Sequence, residues 1–321
     1  MKNLKPKQFL FVLFAFLLSI QLFAQKKNNL DIYKIAKSRN ITLPPLPWHL
    51  MQVKWVFSTD SIVDFQRIDM DIEINRDIPT TYFLYICPFN GSFNGQQFYA
   101  GIQTNIDGSP TKENLTVMKI AGKGGIFSRW SHDRVTPIGV EYVEMYDGGL
   151  CASAGNEGEF CSVRRPCIWT KGTYTLSLIK EETISFKGEP HSWVCMTVTD
   201  KKDGKVTRIG RLLFSGEKLV WKSNNIAFVE TYNFSPRARH IPEASITFSR
   251  PMIGDQPIEL SGLVARQPIS ATVQPNGNTP NCAYITSENT DITVHITSDI
   301  RPQSKNEIYN IIIPNGIVAG F

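Results

Sequence analysis

The chain has no C-x-x-C pair and no histidine at ligand spacing from a cysteine, which argues against structural zinc. It contains no Gly-x-Ser-x-Gly elbow, no His-Glu-x-x-His and no phosphate-binding glycine loop, so the familiar hydrolase, zinc-protease and nucleotide signatures are missing. No amphipathic helix of any length is written into it, and no internal repeat is evident. No Lys/Arg-rich run follows the first residues, so nothing supplies an electrostatic footprint for nucleic acid. No cofactor and no metal are expected.

What the sequence does contain begins at its start. Lys2, Lys5 and Lys7 lead into an apolar block, Phe9 to Ile20, closed by Gln21-Leu22-Phe23-Ala24-Gln25. A basic start, a short apolar core and a small residue at the cut predict a secretory signal peptide over residues 1–24. An uncleaved anchor is the alternative, but the block falls short of the ~20 residues a membrane span needs. The protein is therefore expected outside the cytoplasm (secreted, periplasmic or at the cell surface), with no membrane span after cleavage. Loss of three lysines with that segment lowers the formal charge of +5 to about +2.

Six cysteines remain: Cys87, Cys151, Cys161, Cys167, Cys195 and Cys282. An even number in an exported chain predicts disulfides, with a short-loop bridge among Cys151, Cys161 and Cys167. Inert buried thiols are the alternative, because roughly 297 residues can build a core without staples.

Residues 25–47 end in Leu43-Pro44-Pro45-Leu46-Pro47 and read as a lead-in, with weak helical spacing over 30–38. From there the pattern is β. In Arg67 to Asn75 polar and apolar residues alternate, placing Ile68, Met70, Ile72 and Ile74 on one face and Asp69, Asp71 and Glu73 on the other. Those acids read as a solvated face rather than a metal site. Further runs at Thr80–Cys87, Gln97–Gln103, Gly125–Trp130, Gly139–Met145, Thr173–Lys180, Trp193–Thr199, Val206–Phe214, Asn225–Tyr232 and Ala244–Arg250 fit strands punctuated by Gly, Asn and Pro. The expected fold is all-β, a two-sheet antiparallel sandwich of jelly-roll type over 48–251. Residues 252–321, poorer in aromatics, read as a β appendage or as closing strands.

Tyr82-Phe83-Leu84-Tyr85, Phe89-Asn90-Gly91, Tyr99-Ala100-Gly101-Ile102-Gln103-Thr104-Asn105, Ile126-Phe127-Ser128-Arg129-Trp130, Glu157-Gly158-Glu159 and Trp169-Thr170-Lys171-Gly172-Thr173-Tyr174 follow one another in order. That ordered set resembles the family catalogued as domain of unknown function 3472, over about residues 78–250. Glu159-Phe160-Cys161 departs from it, where small residues would follow the Glu-Gly step. The resemblance implies an extracellular bacterial β-sandwich associated with carbohydrate-related modules, and it implies no catalytic residues.

Two segments are shaped for a surface function, Gly124 to Asp133 and Gly155 to Trp169. An aromatic face against the C–H side of a sugar, flanked by planar polar groups, is the chemistry of glycan recognition. Tyr99, Gln103, Arg129, Trp130, Glu157, Arg164 and Trp169 form the candidate ligand-binding set, with burial of Trp130 and Trp169 in the core as the alternative. The leading expectation is a non-catalytic glycan-binding protein. A polysaccharide lyase or glycoside hydrolase is the second, using Glu157 with Glu159, or His132, Tyr142, Arg129 and Arg134. A protein-binding adhesion module is the third. His49, His191, His240 and His295 are scattered and read as structural.

Overall fold

A computed structural model describes residues 31–43, 47–155, 157–232, 241–266, 281–301 and 308–311. The signal peptide expected over 1–24 lies outside these residues, as do the prolines Pro44 and Pro45. The weak helical spacing near residue 30 becomes α1 (Ile32–Ser38), capped by the Asp31 carboxylate, which accepts from the Tyr33 backbone N–H. No described helix is long and apolar enough to cross a membrane.

Two antiparallel sheets make the body. One is formed by β1 (Trp48–Ile62), β3 (Leu84–Phe93), β4 (Gln96–Gly108), β5 (Lys119–Trp130), β7 (Leu150–Ala154), β8 (Phe160–Pro166), β12 (Trp221–Thr231), β16 (Leu260–Arg266) and β19 (Ile308–Ile311). They lie side by side as β19-β16-β1-β12-β3-β4-β5-β8-β7. The other is built from β2 (Arg67–Ile74), β6 (Val143–Met145), β9 (Gly172–Phe186), β10 (Glu189–Asp200), β11 (Val206–Ser215), β13 (Ala244–Phe248), β17 (Asn281–Glu288) and β18 (Asp291–Arg301). Its order is β17-β18-β13-β2-β9-β10-β11-β6, with the short pair β14 (Met252–Ile253) and β15 (Gln256–Pro257) against β2. The chain changes sheet repeatedly, as in a jelly roll. After Pro251, β16 and β19 extend the first sheet and β17 and β18 the second.

Alternation decides which side chains meet between the sheets. Ile68, Met70, Ile72 and Ile74 of β2 are fully buried, while Asp69, Asp71 and Glu73 face outward. Asp71 accepts from Thr175 Oγ1 at 2.6 Å and Asp69 pairs with Arg67. No group of three or more potential metal ligands occurs among the described residues. The centre of the core is aromatic: Phe93 stacks on Phe98 at 4.5 Å, and Phe214 and Trp221 meet both rings edge-on. Of the two Asn-Gly signals, Asn94-Gly95 makes the β3–β4 turn, with φ of 50° and 81°. Asn90-Gly91 lies inside β3, paired with Tyr99 and Phe98.

The expectation of disulfides is corrected. All six cysteines are free and buried. Cys151 and Cys161 sit on adjacent strands, but Cys151 opposes Val163 and Cys161 opposes Ser153. Diagonal neighbours two residues out of register stand about 7–8 Å apart, against a Cβ separation of about 3.8 Å in a disulfide. Burial raises the Cys161 thiol to about 12 and the Cys195 thiol to about 11.

Candidate functional site

The inner face of the nine-stranded sheet is apolar, but its outer face is not. Register aligns His49 of β1 with Glu230 of β12, Glu230 with Tyr85 of β3, and Tyr85 with Gln103 of β4. A second row pairs Phe228 with Cys87, and beyond the register shift in β3 Gly101, Ile126 and Arg164 align across β4, β5 and β8. A third carries Asn90, Tyr99, Ser128 and Ser162. Tyr85, Cys87, Ile126 and Phe228 form a small buried cluster separate from the main core, with Tyr99 and Tyr232 packed on it.

Across these rows runs a strip of rings, one from each of six neighbouring strands. His49 meets Phe228 at 4.9 Å, Phe228 meets Tyr85 at 5.4 Å, and Tyr85 meets Tyr99 at 5.3 Å. Tyr99 then meets Trp130 at 4.9 Å and Trp130 meets Phe160 at 6.1 Å. At the usual strand spacing the strip is about 24 Å long.

Polar groups line it. His49 Nε2 lies 3.1 Å from Glu230 Oε2. Burial lowers the imidazole to about 4 and raises the carboxyl to about 8, the latter helped by the charge of Glu157. At neutral pH the contact is therefore a hydrogen bond between neutral groups, with the carboxyl holding the proton, and not an ion pair. Glu157 stands on the β7–β8 turn. The residue as a whole is exposed, and desolvation raises its carboxyl, opposed by Arg134 and Arg164. The turn is held by its own carbonyl: Glu157 O accepts from Trp130 Nε1 at 3.1 Å and from Arg134 at 2.6 Å. Arg134 covers the Trp130 ring at 5.1 Å and donates to Gln97 Oε1. Arg164 is bound by Ser162 Oγ and by Asp107. Tyr99 feels Glu157, Arg164 and Glu230 together, and burial with the two carboxyls pushes its hydroxyl up.

One buried polar atom of this face, His49 Nδ1, has no hydrogen-bond partner, while the Tyr85 hydroxyl is bonded to the Cys87 thiol and the Ser128 hydroxyl to that of Tyr99. Tyr85 is 2% exposed and Ser128 is fully buried. A buried polar atom left without a partner costs about 1–3 kcal/mol.

Of the seven residues expected from sequence, five share this face: Tyr99, Gln103, Trp130, Glu157 and Arg164. Two do not. Arg129 points between the sheets, donating to the Leu213 carbonyl with its guanidinium 4.9 Å from the Tyr142 ring. Trp169 is fully buried in the main core under Lys123 Nζ. Alternation requires the split at Arg129-Trp130, since neighbours on a strand face opposite ways. Trp130 and Trp169 therefore do not stand side by side as sugar platforms. His132, Tyr142, Arg129 and Arg134 are not brought together either: His132 lies against Gly95, and Arg129 and Tyr142 stack on the inner side. The Glu159 carboxylate lies beside Gly155. His49, Glu230 and Tyr85 escaped sequence reading because only strand register joins positions 49, 85 and 230. A cavity of about 380 Å³ beside α1, lined by Tyr33, Lys37 and Leu43 among others, has no carboxyl group in its lining and lies apart from these residues.

Fold and face together define a two-sheet β-sandwich with a polar, aromatic outer sheet face. No family model matches the chain, and no curated protein matches it in sequence.

Proposed function

We propose that the protein is an exported glycan-binding β-sandwich whose ligand lies along the ring strip of the nine-stranded sheet. The observation that carries this is the strip of six rings across one sheet face, joined there by the unpartnered His49 Nδ1 and the carboxyl groups of Glu230 and Glu157. Sugars offer both halves of what such a face needs, hydroxyls for polar groups and C–H surfaces for rings. The pattern of the first 24 residues and the resemblance to domain of unknown function 3472 agree with an extracellular role. The protein-binding alternative has its best support in Val117, Met118 and Ile120, exposed together before and within the start of β5.

The face also favours neutral glycans. Its cations are engaged, Arg164 with Asp107 and Arg134 with Gln97 and the Glu157 carbonyl. A uronate would lie beside Glu157, whose charge already reaches Glu230. Affinity gels containing β-glucan, xylan, galactomannan or arabinan should retard the protein. Tyr99→Ala should weaken retardation at least about tenfold, the loss of one good aromatic contact with its hydrogen bond, whereas Tyr284→Ala on the other sheet should not. Equal mobility in every gel would sink the reading.

A further inference from the structure

Exposed apolar side chains gather at one end of the sandwich. Of the nine large ones exposed among the described residues, five lie there: Val117, Met118, Ile120, Ile168 and Val206. Ile120 is 72% exposed and Ile168 88%. Val117 to Ile120 lead from the β4–β5 connection into β5, Ile168 lies between β8 and β9, and Val206 opens β11. Short links join these places. The Lys123 carbonyl of β5 accepts from the Cys167 N–H at 3.1 Å, and the Cys167 thiol bonds to Thr207. Ile168 and Val206 thus flank one contact, and Ile120 stands at most about 20 Å from Ile168 along these links.

Lysines surround the apolar tips. Lys171 precedes β9, and Lys202 and Lys205 stand on the β10–β11 turn, where the Lys201 N–H donates to the Thr173 carbonyl at 3.0 Å. Lys119 lies between Met118 and Ile120. All four of Lys119, Lys171, Lys202 and Lys205 are exposed, and none has an ion pair among the described residues. The nearby aspartates are engaged elsewhere. Asp77 holds Lys123, Asp71 holds Lys201, and Asp200 and Asp203 accept from the backbone N–H groups of Lys202 and Lys205.

We propose that this end of the sandwich docks on an anionic phospholipid surface, with Ile120, Ile168 and Val206 entering the interface and the four lysines meeting phosphate groups. Attraction of this kind grows with buried apolar area and with cationic charge near anionic headgroups. The apolar residues stand on separate turns and strand ends, spaced by lysines. A fluid surface accepts separate tips, whereas a protein partner needs closely packed, complementary contact. A second copy is disfavoured for another reason. A two-fold contact would set the same lysines against one another.

The test is co-flotation of the protein recovered after export with vesicles of phosphatidylcholine, alone or with phosphatidylglycerol at about three parts in ten, near physiological salt. Binding should require phosphatidylglycerol and weaken as salt is raised. Lys171→Gln with Lys205→Gln should lower it by about 10–30-fold. Ile120→Ser with Ile168→Ser should lower it by about tenfold or more. Val63→Ser and Val135→Ser, exposed at the opposite end beyond β1 and β5, should leave it unchanged. No flotation, flotation indifferent to phosphatidylglycerol, or an equal loss in the Val63 and Val135 variants overturns the proposal. A lipid-free dimer in sedimentation equilibrium that the isoleucine pair dissociates assigns this end to a second copy and overturns it as well.

Discussion

Glu230 is a carboxyl that desolvation holds well above its ordinary range, and its titration makes a stability prediction. Below about pH 4 its carboxyl is protonated in folded and unfolded chains alike. Above that, the unfolded carboxyl ionises near its ordinary 4.5 while the folded one keeps its proton to about 8. The unfolded state gains across that window, so stability falls as pH rises. His49 acts the other way: unfolded it takes a proton below 6.5, folded only below about 4, so stability is lost as pH falls between those values. The slopes oppose each other up to about 6.5, and from there to about 8 Glu230 acts alone. Urea midpoints should therefore decline from pH 6.5 to 8 in wild type and hold level in Glu230→Gln. A decline of equal size in the variant would refute the assignment of that slope to Glu230. Nothing in the sequence around Glu230 announces this, because Val229-Glu230-Thr231 reads as any alternating strand.

At the level of elements, the site depends on how closely β3 and β4 approach beneath the ring strip. Gly101 lies where a Cβ would come within 2.2 Å of the Ile86 carbonyl and 2.8 Å of Cys87 Cα. These are backbone atoms and cannot swing aside, and the ladder already shifts register between Ile86 and Phe89. Gly101→Ala should cost about 1–3 kcal/mol in chemical denaturation, as overpacking does, and should weaken glycan retardation by displacing Tyr85 and Tyr99. Unchanged stability would mean that β3 accommodates the methyl group without strain. Most strands, from β2 to β13, were legible as alternating or aromatic runs. The expected strand at Gly139–Met145 shrinks to a 3₁₀ turn over Val140–Tyr142 and the three residues of β6. The segment from Gly155 to Trp169, read as a functional surface stretch, contains β8, whose Cys161 and Val163 are fully buried. Its polar arginines and terminal proline hid the strand, since only one half of it packs inward.

At the scale of the whole molecule, two stacked sheets supply enough apolar burial that covalent staples are unnecessary. Four tryptophans, Trp48, Trp55, Trp169 and Trp221, are fully enclosed, and the six thiols are buried and free. Thiols held neutral by burial react slowly. The native protein should therefore react little with Ellman's reagent and the denatured chain should release six equivalents. Dithiothreitol should leave the melting temperature unchanged; a fall of several degrees would reveal a bridge.

The sequence by itself determined the class of fold and, within each strand, which residues share a face, because side-chain alternation is a local property of extended backbone. It also placed Tyr99, Gln103, Trp130, Glu157 and Arg164 among the residues of interest. Tertiary structure alone decided which face points inward, sending Arg129 and Trp169 to the core and their companions outward. It alone brought His49, Glu230 and Tyr85 into one row, across as many as 181 residues of chain from 49 to 230. Register between strands distant in sequence is set by the packing of the whole sandwich, and no local pattern carries it.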